Sequence, residues 1–147
     1  LPMELATVVQ ERVKVIYVLL QNHGFASIGA LSESHGSQRF GTRYTMGAGN
    51  AHNEPGDNLP VDIAKNAESW GLDVLRVTTM DEFRDAYRKA EASDRATMIH
   101  IETDLYGPNP PSSSWWDVAV AEVSRIDSTT EARKEYEEKK ATQRLYL

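Results

Sequence analysis

The densest apolar stretch of the chain runs from Val13 to Leu20, where Val13, Val15, Ile16, Tyr17, Val18, Leu19 and Leu20 are interrupted only by Lys14. So short a run, rich in β-branched side chains, predicts a strand buried on both faces, of the kind found inside a parallel sheet. It stops at Gln21-Asn22, turns at His23-Gly24, and gives way to Phe25, Ile28 and Leu31 at helical spacing. Upstream, Pro2 suits the first turn of a helix whose period is carried by Leu5, Val8, Val9 and Arg12 up to Val13. Downstream, Val61, Ile63, Ala64, Ala67 and Trp70 form a helical stripe that Gly71 closes. Leu72 to Thr78 predicts a second strand. Thr79 and Glu82 stand at capping-box spacing before a helix that turns Phe83, Ala86, Tyr87 and Ala90 inward and ends near Ser93. Ala96 to Thr103 predicts a third strand, and a terminal helix runs from about Thr129 to Leu145. That last helix pairs Glu135 with Lys139 and Glu131 with Lys134, a mostly charged face suited to solvent or to bracing a subunit.

The order α-β-α, loop, α-β-α-β implies strands joined by helical crossovers, hence an α/β fold with a parallel sheet and helices on both faces. From Ser32 to Leu59 the pattern lapses, with Gly36, Gly41, Gly47, Gly49 and Gly56 scattered among polar residues. A loop of that length is either a mobile surface excursion or one that closes over a ligand or docks on a second subunit. In the second case Arg39, Arg43 and Tyr44 are its useful side chains. Open α/β sheets bind ligands beyond the carboxyl ends of their strands, which puts Asn22 to Gly24 where such a fold keeps its chemistry.

Bulk properties narrow the function classes. With 147 residues the chain has the length of one domain, and a net charge of −6 argues against nucleic acid as the main partner. There is no cysteine, so disulfides and thiolate chemistry are excluded and a cytoplasmic location is expected. No apolar run is long enough to span a bilayer. The opening Leu1-Pro2-Met3 enters a helical pattern at once, as expected of a piece of something longer.

Asn22 at a strand end can offer a neutral amide oxygen to a hard cation, and Gly24 lets the backbone bend so that its carbonyl points the same way. Oxygen ligands of this kind suit Mg²⁺. The same residues serve equally as turn formers. His23, His35, His52 and His100 lack zinc-like spacing. His100 reads as structural within a strand, and His23 as either an acid/base group or a loop histidine bonded to solvent or backbone. Glycine-rich phosphate loops and serine-nucleophile motifs are missing. After Asp104 a Pro-Gly-Ser stretch leads to Trp115-Trp116-Asp117, whose tryptophans suit packing or an interface.

The run M-E-L-A-T-V-V-Q-E-R-V-K-V-I-Y-V-L-L-Q-N-H-G-F resembles the second half of the thiamine diphosphate-binding motif, in which a Gly-Asp-Gly is followed roughly two dozen residues later by Asn at a strand end. P-V-D-I-A-K-N-A-E-S-W-G-L-D-V-L-R-V, M-D-E-F-R-D-A and I-H-I-E-T-D resemble the later strands and helices of the same C-terminal cofactor domain. Within that family, S-I-G-A-L-S-E-S-H-G-S-Q-R-F-G-T-R-Y, S-S-S-W-W-D-V-A-V-A-E-V-S and E-A-R-K-E-Y-E-E-K-K-A-T-Q-R-L-Y-L are similar to the trihydroxycyclohexane-1,2-dione hydrolases of myo-inositol catabolism. The resemblance implies a thiamine diphosphate-binding fold incomplete at its N-terminus, with residues 1–127 as part of the cofactor domain and 128–147 as a helical tail. It also implies thiamine diphosphate held at Asn22, His23 and Gly24, with Mg²⁺ on Asn22 and the backbone carbonyl of Gly24. The implied reaction is hydrolysis of a C–C bond that opens the cyclic dione to 5-deoxyglucuronate, in a homodimer or homotetramer with neither membrane nor nucleic acid as partner. The acetolactate synthase type of carboligase or decarboxylase and a flavodoxin-like interaction module are the alternatives. The family's Gly-Asp-Gly would fall before Leu1, and the activating glutamate lies outside these residues. The chain alone is therefore expected to bind cofactor weakly and to be inactive.

Overall fold

The computed structural model describes residues 2–46, 56–104 and 116–145. Gly47, Gly49, His52, Trp115 and the Pro-Gly-Ser stretch after Asp104 lie outside the described residues. Two compact units emerge, Leu1–Asn22 with Pro60–Asp104 and His23–Leu59 with Leu105–Leu147.

The first unit is the α/β body. Helix α1 (Met3–Gln10) leads to β1 (Ile16–Gln21); α3 (Ile63–Ser69), β2 (Asp73–Val77), α4 (Met80–Ala92) and β3 (Thr97–Glu102) follow. The sheet order is β1-β3-β2, and both pairings are parallel. Central β3 places Met98 opposite Tyr17 and Val74, and Ile99 opposite Val18 and Leu75, so successive residues serve opposite faces. On one face Met98 joins Ala67, Leu72 and Ala96, with Leu5 and Val8 of α1 and Trp70 packed against them. On the other, Ile99 joins Val77, Ala86 and Ala90, with Phe83 and Ile101 alongside. Helices thus cover both faces. Alanines at 64, 67, 86 and 90 are buried, so α3 and α4 turn small side chains inward and can sit close to the strands.

Local chemistry sets the element ends. Asp62 caps α3, its side chain accepting from the Lys65 N–H at 2.9 Å while also holding Arg76 at 2.9 and 3.1 Å. Thr79 and Glu82 form the expected capping box of α4, and Glu82 also accepts from the Thr78 N–H at 2.7 Å. Gly71, after α3, takes φ +97°, which a side chain would strain.

Three expectations need correction. The first strand begins at Ile16 rather than Val13, because the Val13 N–H donates to the Val8 carbonyl and closes α1, with Arg12 at φ +52° between them. Nor is β1 buried on both faces, since Val18 is 45% and Leu20 59% exposed, and of that face of the strand Ile16 alone packs against the cluster under α4. Tyr87 is 41% exposed, although Phe83, Ala86 and Ala90 do turn inward.

The second unit holds α2 (Ala26–Ser34) and α5 (Asp127–Ala141). The terminal helix begins two residues before Thr129 and stops at Ala141, where the N–H groups of Thr142 and Gln143 fold back onto the carbonyls of Lys139 and Lys140. Its expected pairs are present, Lys134–Glu131 at 2.9 Å and Lys139–Glu135 at 4.0 Å. Segment 116–122 is strapped to α5 by bonds from Lys140 and Gln143 to Asp117, by Arg133 donating to the Val120 carbonyl, and by a tilted Trp116–Tyr136 contact.

Candidate functional site

Parallel pairing puts the carboxyl ends of the three strands on one edge, and Asn22 follows β1 there. Gln21 stands opposite Glu102, and its carbonyl accepts from both the N–H and the hydroxyl of Thr103, at 2.9 and 3.3 Å. Asn22 is therefore carried on a strand end fixed to the centre of the sheet and is partly buried.

The second unit begins with His23, whose φ of +53° is a left-handed conformation that histidine tolerates better than most residues. Gly24 then forms an antiparallel bridge with Arg43. The Tyr44 N–H donates to the His23 carbonyl at 2.8 Å and the Phe25 N–H to the Thr42 carbonyl at 2.7 Å. A Cβ at position 24 would collide with the Thr42 carbonyl oxygen, so the close passage of the 42–43 backbone demands glycine independently of any ligand.

The segment facing this turn is packed. Arg39 is only 6% exposed and holds Glu33 of α2 through Nε at 2.8 Å and Nη2 at 2.7 Å. Thr42, also buried, donates its hydroxyl to the Arg39 carbonyl at 2.7 Å. Thr45 bridges Asn58, so the return of the loop is paired as well. The three candidate side chains separate accordingly. Arg39 braces α2, Arg43 stands opposite Gly24, and half-exposed Tyr44 meets Phe25 edge-on with ring centroids 5.5 Å apart. Thr42 and Glu33 carried no sequence signal. Only the bridge reveals why they matter.

Of the remaining candidates, His100 is buried in the middle of β3 between Leu19 and Arg76, away from the strand ends. His35 caps the end of α2, with Nδ1 2.9 Å from the Leu31 carbonyl. Asp117 belongs to the α5 strap, where bonds from Gln143 and then Lys140 hold its carboxyl below the usual range. Among the described residues no three His, Asp or Glu side chains gather into a metal-ligand cluster. Asn22, at the end of the first unit, carries a side-chain amide oxygen, a hard, neutral donor of the kind that fits a cation such as Mg²⁺ taking its other oxygens from diphosphate, carboxylate and water.

Residues 1–101 match the family model described as thiamine pyrophosphate enzyme, C-terminal TPP binding domain. The chain is 33% identical over 131 residues to the 3D-(3,5/4)-trihydroxycyclohexane-1,2-dione hydrolase of Clostridium botulinum (strain Alaska E43 / Type E3), covering 89% of this chain and 20% of that protein. It is 31% identical over 143 residues to the protein of the same name from Bacillus subtilis (strain 168), covering 97% of this chain and 21% of the relative. The chain thus spans about a fifth of the length of these relatives. Among solved structures it is similar to benzoylformate decarboxylase from Polynucleobacter necessarius, with a TM-score of 0.55 and 25% identity over 75% of this chain and 18% of the other. The chain belongs to the thiamine pyrophosphate enzyme family, as a C-terminal TPP-binding domain.

Proposed function

We propose that this chain is the cofactor-holding part of a thiamine diphosphate-dependent C–C hydrolase that opens trihydroxycyclohexane-1,2-dione to 5-deoxyglucuronate in inositol breakdown. The reading rests above all on Asn22, an amide at the carboxyl end of β1 inside the family-matched segment, followed by the Gly24 turn. Identity of 31–33% to proteins named for that reaction supports the substrate.

On this reading the Asn22 side-chain oxygen and the Gly24 carbonyl would hold Mg²⁺, and with His23 they would seat the diphosphate end of the cofactor. When bound, thiamine diphosphate supplies the nucleophilic carbon and the electron sink that cleavage next to a carbonyl requires. The contribution of this chain is binding and orientation: β1 fixes where Asn22 sits, and the bridge to Arg43 fixes the turn after it. The activating carboxylate and the substrate-contacting groups belong to other parts of a cytoplasmic homo-oligomeric enzyme.

In the whole enzyme, Asn22→Ala is expected to abolish Mg²⁺-dependent activity with little change in melting temperature, because a partly buried strand-end amide supports ligation more than packing. Normal activity in that variant would end the metal assignment. The likeness to benzoylformate decarboxylase favours one rival, a decarboxylase or carboligase acting on 2-keto acids. Turnover of pyruvate or benzoylformate, with none of the cyclic dione, would select it.

A further inference from the structure

A continuous run of hydrogen bonds inside the second unit links the terminal helix to the turn at Gly24. At its far end the hydroxyls of Ser128 and Thr129, in the first turn of α5, both donate to the carbonyl of Gly36 at 2.7 Å. Thr129 is buried, and Gly36 takes φ +79° with its Cα against the Ser128 carbonyl, where a Cβ would also strike Ala132. From Gly36 the chain continues as a strap. The Ser37 N–H donates to the Ser32 carbonyl at 3.1 Å, and the Ser32 hydroxyl to the Gln38 carbonyl at 3.0 Å. Arg39 then grips Glu33, and its carbonyl receives both the N–H and the hydroxyl of Thr42. Thr42 and Tyr44 complete the run by bonding Phe25 and His23 on either side of Gly24.

We propose that α5 is a positioning element for the cofactor turn: Ser128 and Thr129 clamp Gly36 and so hold the 36–44 strap in register against His23–Phe25. The clamp suits that task because it is doubled on one carbonyl and half buried. Neither hydroxyl touches a ligand. The link to metal rests on the reading of Asn22–Gly24 given above, whereas the mechanical link from α5 to the turn does not.

Amide exchange on the chain tests the mechanical link. With Ser128→Ala and Thr129→Val combined, the Phe25 and Tyr44 N–H groups are expected to exchange about tenfold faster or more, while Met98 and Ile99 of β3 keep their rates. Thr129→Ser in place of Thr129→Val should restore much of the protection. Should the double variant lose its fold, Ser128→Ala at the exposed position still predicts a several-fold increase confined to the same two amides. Unchanged exchange at Phe25 and Tyr44, or an equal rise in β3, overturns the proposal. In the whole enzyme with thiamine diphosphate present, the double variant should raise the half-saturating Mg²⁺ concentration several-fold and leave kcat at saturating Mg²⁺ nearly intact. Faster exchange with an unaltered Mg²⁺ requirement would overturn the positioning role. If Asn22→Ala also left the Mg²⁺ requirement unaltered, the metal reading would be what failed, and exchange alone would decide the mechanical link.

Discussion

The two compact units are built from different materials. In the first, the buried residues are overwhelmingly apolar, with Ile99 at 0% exposure on the face covered by α4 and Met98 turned to the other face. In the second, Val120 is the one buried apolar residue among those described, and Arg39, Thr42 and Thr129 are its buried polar companions. One unit is stabilised chiefly by removing hydrocarbon from water. The other depends on a guanidinium–carboxylate pair, doubled hydroxyl bonds and glycines where backbones nearly touch. Apolar burial is non-directional and involves no titrating group, while hydrogen bonds contribute little net free energy each and much geometric definition.

The largest effect that separates them comes from the core. Ile99→Ala removes three carbons from a fully buried position and should cost about 2–5 kcal/mol. Urea unfolding followed by amide resonances gives the reading: the Met98 midpoint should fall steeply. If the Phe25 midpoint falls by the same amount, the units unfold as one cooperative body. If it does not, they differ in stability as well as in composition.

Much of the first unit could be read in the sequence because its determinants are local. The Thr79–Glu82 box, the Gly71 stop and the alternation of strand residues each depend on neighbours within a few positions, and each is found where expected. Burial of β1 on both faces could not be read this way, since the exposure of Val18 and Leu20 depends on what the rest of the fold places over them. Asp62 stands three residues before Lys65 at an N-cap, a signal available from spacing alone. In the second unit almost nothing was local. The Gly24–Arg43 bridge and the Gly36–Thr129 bond join residues far apart in the chain, and polar sequences carry no periodicity to announce such pairings. Asn22 itself was legible because a strand end is a local feature. The 42–44 backbone that passes Gly24 was not.

Acid should distinguish the units next. The Asp117 carboxyl is held below its ordinary range by bonds from Gln143, then Lys140. A carboxylate whose folded pKa is depressed contributes stability above its unfolded value, about pH 4, and that contribution is lost as pH falls through the folded value. The strap of residues 116–122 on α5 should therefore loosen below about pH 4, read as loss of the Trp116–Tyr136 contact in aromatic NOE spectra, and Asp117→Asn should remove that dependence. In the first unit the same sign applies only at helix starts. Asp62 is lowered mainly by the Lys65 N–H and then by Arg76, and Glu82 mainly by the Thr78 N–H. Acid should fray the beginnings of α3 and α4 there while the Met98 and Ile99 amides stay protected. Loss of β3 protection over the same pH range as the strap would erase the contrast.

The smallest expected effect lies at the end of α1, and it is a gain. Arg12 holds φ +52°, the left-handed conformation that follows a helix, while the Val13 N–H reaches back to the Val8 carbonyl. Helices commonly end this way on glycine because a Cβ there crowds the following carbonyl. Arg12 is exposed, so its replacement sacrifices no burial. Arg12→Gly relieves the crowding but widens the unfolded ensemble, and the two effects partly cancel. A net stabilisation of about 0.5–1 kcal/mol is expected. It should appear in the urea midpoint of Met98 and leave the Phe25 amide unchanged, since the strained residue closes a helix packed on the sheet. Arg12→Ala keeps the Cβ and should give no gain, so equal stabilisation by both substitutions would place the effect in the lost charge rather than in the backbone.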